Sequence, residues 1–294
     1  MGKALVFKGV KVHNPLQVVT FVKELTTASD YVDEYSKLAT SVSSEQKTNL
    51  VTFVGTLMNN NLWEKVRCCF PMLGGMDGYN KDLKDVFNQR VWNAPEAGTS
   101  WDSTRNAPFL SLPGKAKGTE LVIEDMNRFS SSFLFSIKVF SARQGVVMSS
   151  YGNNIPPSII NRLSMNNGGY KFFSWDTTNK NENIEGYSYK KQSNNIYMVT
   201  MNNGTNSTFA CSNSITLLEG STDATPQSEA TNATFALGGI YYAVQAAPAP
   251  DTLNGTMNMF IAFNSALTKE EWKIVSKAVW DFDEACGRHI DFTD

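Results

Sequence analysis

From Asn254 to Trp272 the chain reads NGTMNMFIAFNSALTKEEW. Met257, Met259, Ile261 and Phe263 recur at every second position, the period of one face of a β-strand. Phe260 and Ala262 make the opposite face apolar too, so the pattern predicts a strand covered on both sides. Asn264 and Ser265 then break the alternation with turn chemistry. Thr268, followed three residues later by Glu271, spells a capping box, and Leu267 with Trp272 stand where a hydrophobic staple forms. Trp272, Val275, Val279 and Phe282 follow at helical spacing, which predicts an amphipathic helix docked on the body.

The first 95 residues carry a different pattern. ALVFKGVKV alternates as a strand, with Leu5 and Phe7 on one face. A helix is expected to start near Ser43, where Gln46 completes a second capping box, and to present Leu50, Phe53, Val54 and Leu57 along one side. LWEKVRCCF reads as a second, shorter helix that stops at Pro71 and the Gly74–Gly75 pair. From about Asn106 the rhythm changes to short apolar runs: ELVIEDM, SFLFSIKVF, QGVVMSSY, YKFFSWD, NIYMVTMN, STFACSN and ATFALGGIYYAVQ. Turn-forming clusters rich in Asn, Gly, Ser and Pro separate them. Many short strands at this spacing predict a mainly β fold, a jelly-roll β-sandwich, preceded by a strand-plus-helices segment and closed by the terminal helix. The expected division is an N-terminal docking or oligomerisation segment over 1–95 and the sandwich over 96–294.

Composition narrows the chemistry. Charged residues make up 18% of the 294 and the formal net charge is −2, so there is no basic stripe to neutralise phosphates and nucleic-acid binding is not expected. No apolar run approaches the roughly 20 residues that span a bilayer, and the opening residues show no continuous apolar core of an export signal. Cys68, Cys69, Cys211 and Cys286 have no metal-site spacing and read as reduced, mostly buried thiols.

The order TFALGGIYYAVQ, turn-rich connection, NGTMNMFIAFNSALTKEEW resembles the closing part of concanavalin A-like, laminin-G-type sandwiches. In such domains a strand ending in Asn and a Leu-Thr-x-Glu-Glu helix start close the jelly roll. SEQKTNLVTFVGTLMNNNLWEKVRCCFPMLGGMDGYNKDLKD, with its Leu62–Trp63 pair, Phe70–Pro71 break, Gly74–Gly75, Asn80 and Leu83, is similar to the segment preceding such sandwiches in structural proteins of tailed bacteriophages. Notable among these are phages infecting gut Bacteroidales, the crAss-like phages included. GKALVFKGVKVHNPLQVVTF is similar to the leading strand of fibre and decoration proteins from the same phages. The resemblance implies a non-catalytic head-fibre or capsid-decoration protein, located in the virion after assembly in the host cytoplasm. Its partners would be other capsid or tail proteins and further copies of itself, with tail-fibre attachment to host-surface glycans as the alternative. Leu5, Phe7, Leu50, Phe53, Val54 and Leu57 are the expected docking or packing residues.

Three chemistries follow from the fold so implied. A glycoside hydrolase needs two carboxylates across a bond; Glu120, Glu124 and Asp125 are nearest, but Glu120 and Glu124 stand too far apart along the strand. His13 and His289 are the only histidines, and no nucleophile elbow or zinc spacing accompanies them. No cofactor is expected. Calcium, which laminin-G-like domains hold through loop oxygens, would fall to Asp176, Asn179 and Asn181. Glycan binding pairs an aromatic platform with planar amides and carboxylates, and Trp101, Tyr151 with Asn153 and Asn154, and Trp175 with Asp176 have that composition. The competing reading is that Trp101 and Trp175 serve packing.

Overall fold

The computed structural model describes residues 24–39, 41–73, 82–93, 99–102, 107–110, 121–123, 130–139, 145–151, 159–166, 169–175, 181–184, 194–202, 206–212, 217–222, 233–237 and 255–288. Leu5 and Phe7 lie outside them. Among the described residues two helices come first, α1 (Ala28–Leu38) and α2 (Ser44–Asn59), and a third, α3 (Lys269–Ala285), comes last. Each begins at a reciprocal capping box: Thr27 with Asp30, Ser43 with Gln46, Thr268 with Glu271. In each, the cap hydroxyl accepts from the N3 amide while the N3 side chain accepts from the cap amide, which satisfies two otherwise orphaned donors.

The segment expected to be a second short helix is instead a single 3-10 turn, Trp63–Lys65, followed by strand β1 (Val66–Phe70). Tertiary pairing decides this: Cys68, Cys69 and Phe70 pair antiparallel with Ala262, Ile261 and Phe260 of β16 (Gly255–Phe263). Asn61, at φ 56, makes the break that ends α2 and frees the chain to enter β1.

Among the described residues fourteen further strands lie between them: β2 (Asp82–Asp85), β3 (Arg90–Asn93), β4 (Thr99–Asp102), β5 (Ala107–Leu110), β6 (Leu121–Ile123), β7 (Ser130–Val139), β8 (Gly145–Tyr151), β9 (Ile159–Asn166), β10 (Gly169–Trp175), β11 (Asn181–Ile184), β12 (Asn194–Asn202), β13 (Asn206–Ser212), β14 (Leu217–Thr222) and β15 (Ala233–Leu237). They form two large antiparallel sheets. One runs β14-β13-β12-β7-β16-β5-β4, with β1 also beside β16; the other runs β11-β10-β9-β8-β15-β6. β2 and β3 make a separate hairpin. The architecture is therefore β-rich and antiparallel with a helical layer.

β16 is the keystone of the first sheet, and both its faces are buried as the alternation predicted. Met259, Ile261 and Phe263 join Leu134, Ile196 and Met198 under the helices. Phe260 belongs to the other face, where it stacks on Phe70 (centroids 6.0 Å apart) and tilts against Phe135 (5.1 Å). One expectation needs correction. Met257 pairs with Ile137 while Met259 pairs with Ser136, because a bulge at Asn258 inserts one residue. The extra residue reverses the alternation, so Met257 leaves the row that Met259, Ile261 and Phe263 share.

α2 and α3 pack side by side over this sheet, with Phe53 and Phe282 at 5.4 Å. Leu50, Phe53, Val54 and Leu57 are at most 2% exposed and belong to one cluster with Trp272, Val275, Val279 and Phe282. They are spent within the chain's own core. The boundary expected between 95 and 96 does not separate two hydrophobic cores among the described residues. Val32, Trp63, Val66 and Val86 on one side share a cluster with Leu134, Ile261 and Val279 on the other.

Candidate functional site

Two carboxylates, Asp85 and Asp283, are fully buried among the described side chains, and the fold consumes both. Asp85 Oδ1 accepts from the amides of Cys69 (3.0 Å), Phe87 (2.9 Å) and Asn88 (3.3 Å), and Oδ2 accepts from Asn88 Nδ2 (2.7 Å). With Val86 N–H donating to Cys69 C=O (2.9 Å), the hairpin turn completes the outer edge of β1 as a neighbouring strand would. Burial pushes the Asp85 carboxyl up to about 6, against the pull of these donors. Burial also raises the Tyr35 phenol and the Cys68 and Cys69 thiols well above their usual ranges, and lifts Cys286 to about 11. Thiols so placed are protonated and poor nucleophiles, and Cys68, Cys69 and Cys286 are unbridged and buried as expected.

The second carboxylate sits under the end of α3. Asp283 receives Arg288 Nη1 (3.1 Å), the Ser136 hydroxyl and Asn258 Nδ2 (3.4 Å). Burial raises its carboxyl from the ordinary value, and Arg288 leads the groups that oppose the rise. No group of three or more His, Cys, Asp or Glu side chains that would hold a metal exists among the described residues. At the start of α3 the part-buried Glu271 pairs with Lys65; burial raises its carboxyl, but hydrogen bonds from Lys65 and Thr268 hold it below the usual range. An open groove between α2 and α3, edged by Asn60, Lys273 and Asp281, is shallow, and its Lys277 is already engaged by Asp281 (2.7 Å).

The sequence-predicted glycan residues fall elsewhere. Trp101 lies in β4, opposite Pro108 of β5. Tyr151 is the last residue of β8 and Trp175 the last of β10, so the antiparallel order brings both to one end of the second sheet, with β9 between them. Two strand spacings put their backbones roughly 10 Å apart, a span that two linked sugar rings bridge. Asn181 opens β11 directly opposite Trp175. Asn153, Asn154, Asp176, Asn179, Glu120, Glu124, Asp125, His13 and His289 lie outside the described residues.

Register sorts the second sheet into two unlike faces. Leu237, Met148, Leu163, Phe172 and Ile184 are cross-strand partners in one unbroken row through β15, β8, β9, β10 and β11. The adjacent row on the opposite face is Ala236, Ser149, Arg162, Phe173 and Asn183. By the two-residue period, Lys171, Trp175, Asn181 and Ser164 belong to this second face. Tyr151 joins them through its pairing with Thr234, one step from Ala236 opposite Ser149. The first face also carries a polar row, Ser150, Asn161, Ser174 and Glu182, whereas the second carries Arg162 and Lys171 together with the Tyr151 and Trp175 positions. The sequence pattern singles out Tyr151 and Trp175 and passes over Arg162 and Lys171, whose place on the same face depends on pairing that no local pattern encodes.

No family model matches the chain, and no curated protein matches it. Solved structures match in fold. Trypanosoma rangeli sialidase in complex with sialic acid matches with a TM-score of 0.52 and 11% identity, over 74% of this chain and 33% of that one. The binding domain of botulinum neurotoxin DC in complex with SialylT gives 0.52 and 14%, over 74% and 52%. A mutant of the T. rangeli sialidase displaying trans-sialidase activity gives 0.53 and 10%, over 86% and 38%. The chain thus spans 33–38% of the sialidases and about half of the toxin domain. At these identities the likeness establishes a shared β-rich fold.

Proposed function

We propose that this chain is a non-catalytic, lectin-like display protein of a tailed-phage virion, a head-fibre or capsid-decoration component whose concanavalin A-like jelly-roll sandwich recognises glycans. The observation that carries the glycan reading is the shared face and shared sheet end of Tyr151 and Trp175, flanked by Asn181 and Asn183. Aromatic rings pack on the C–H faces of sugars while side-chain amides pair with hydroxyls. Two proteins of similar fold, the sialidase and the toxin binding domain, were solved with sialic acid and SialylT respectively, which supports a sugar as the ligand class. The virion placement and self-association rest on the sequence resemblance of residues 2–21 and 44–85 to phage structural proteins.

The glycan reading is tested by applying the full chain to an array of neutral, sialylated and uronate-bearing glycans. Binding is expected, weakened about tenfold or more by Trp175→Ala or Tyr151→Ala. Retention of no glycan overturns it, and glycan cleavage would move the assignment to a polysaccharide hydrolase. Mass spectrometry of purified particles tests the virion placement: the chain should co-purify at structural abundance, and its absence overturns that half.

A further inference from the structure

We infer that the face of the second sheet that carries Arg162 and Lys171 recognises the carboxylate of an acidic sugar, with Arg162 as the charged anchor and Lys171 as its support. The inference rests on the glycan reading above and names the ligand class. Register puts Arg162 on β9, inside the sheet, with Ser149 of β8 on one side and Phe173 of β10 on the other. Lys171, opposite Ser164, stands one step along the same face. Trp175 is two residues beyond Phe173, and Asn183 and Asn181 continue these two rows onto β11.

The charge on this face is one-sided. Among the described strand residues of this sheet, Arg162 and Lys171 are the only cations and both fall here; the only carboxylate, Glu182, pairs with Ser174 on the other face. This occurs in a chain of net charge −2. Cations that guard a sheet against aggregation belong on edge strands, whereas β9 and β10 are interior to the order β11-β10-β9-β8-β15-β6. A neutral sugar needs no cation. A guanidinium presents a planar fork that matches a carboxylate bidentately, and aromatic positions beside it supply the stacking surface for the ring that carries the acid.

The test is calorimetric titration of the full chain with two matched pairs: sialyllactose against lactose, and a uronate-terminated disaccharide against its carboxyl-reduced counterpart. At least one acidic member is expected to bind about tenfold tighter than its neutral partner, with the preference shrinking as salt rises. Arg162→Met should collapse that preference, Arg162→Lys should restore part of it, and Lys171→Gln should reduce it. Far-UV circular dichroism verifies that each variant is folded, and the salt series on the unaltered chain decides the matter if one is not. Equal affinity within both pairs overturns the inference and leaves the glycan reading standing. An acidic preference that survives both Arg162→Met and Lys171→Gln also overturns it. Absence of binding to any glycan overturns both readings together.

Discussion

Arg288 and Asp283 form a fully buried ion pair, Nη1 to Oδ1 3.1 Å, across the last turn of α3. Their backbones meet as well: Arg288 N–H donates to Asp283 C=O and Gly287 N–H to Glu284 C=O, each at 2.9 Å. These are the two hydrogen bonds of a Schellman cap, which usually brings an apolar contact between the same two positions. Here the contact is ionic, and it reaches further. Arg288 Nη1 donates to the Asn258 carbonyl (2.8 Å) and Nη2 to those of Pro71 (3.0 Å) and Met72 (2.6 Å). One side chain therefore fastens the helix end to the bulge of β16 and to the exit of β1.

Arg288→Met is expected to cost about 3–5 kcal/mol, because it leaves a buried carboxylate without its counter-charge and strands three carbonyls. Asp283→Asn should cost less, since the amide oxygen still accepts and the three carbonyls still hold the guanidinium. Urea denaturation of both variants checks this. A loss below about 1 kcal/mol for Arg288→Met would mean that the clamp does not fasten the helix.

Gly287→Ala isolates the backbone part of the same cap. Gly287 sits at φ +70 and an added Cβ meets nothing within 4 Å, so only the left-handed conformation is penalised. The expected loss is about 1 kcal/mol, read as a small fall in Tm with an unchanged far-UV spectrum.

Asp85 should make stability fall with rising pH through a defined window. Its carboxyl is raised from 3.8 to about 6 in the folded chain, so between those values the native state holds a proton that the unfolded chain has lost. The stabilisation is full below about pH 4 and is lost as pH rises through about 6, for a total of roughly 3 kcal/mol. Asp283 is shifted in the same direction and Glu271 in the opposite one, so the quantity to measure is the difference between the unaltered chain and Asp85→Asn. That difference should favour the unaltered chain most at about pH 4 and below, and shrink steadily to a minimum by pH 7.5. A difference that does not change with pH would remove Asp85 from the account.

What the sequence displayed and what it hid divide along the range of the interactions. The helix starts at Ser43 and Thr268 were legible because a capping box involves residues three apart. The same signal stands at Thr27 and Asp30, but without a clear apolar stripe after it α1 went unpredicted. β1 was mistaken for helix because its strand character comes from β16, about 190 residues away. The bulge at Asn258 could not be seen from alternation, which reads Met257 and Met259 as neighbours on one face. Tyr151 and Trp175 stood out as aromatics beside polar turns, whereas Arg162 and Lys171 looked like ordinary charges within strands. Only the pairing of β8, β9 and β10 puts these four on a common face.

Phe53→Ala tests whether the helices of the first 95 residues are a separable arm or part of one body. Phe53 is 2% exposed and meets Phe282 of α3 at 5.4 Å, within a cluster that also contains Ile261 of β16 and Met198 of β12. Truncating a buried Phe costs about 3–5 kcal/mol through lost transfer energy and an unfilled cavity. If α2 were an independent docking element, that loss would appear as an early transition of the helices alone, with the sheets melting where they did before. A shared core predicts a single cooperative transition, displaced as a whole, with near-UV and far-UV signals shifting together. By the same reasoning a chain beginning at residue 96 would lack β1, and so bare part of the β16 edge, and would expose the Trp272, Val275, Val279 and Phe282 face of α3. It is expected to be insoluble or loosely folded rather than a free sandwich. Two separate transitions in Phe53→Ala, or a well-folded 96–294 fragment, would restore the boundary at residue 95 and with it a detachable anchor.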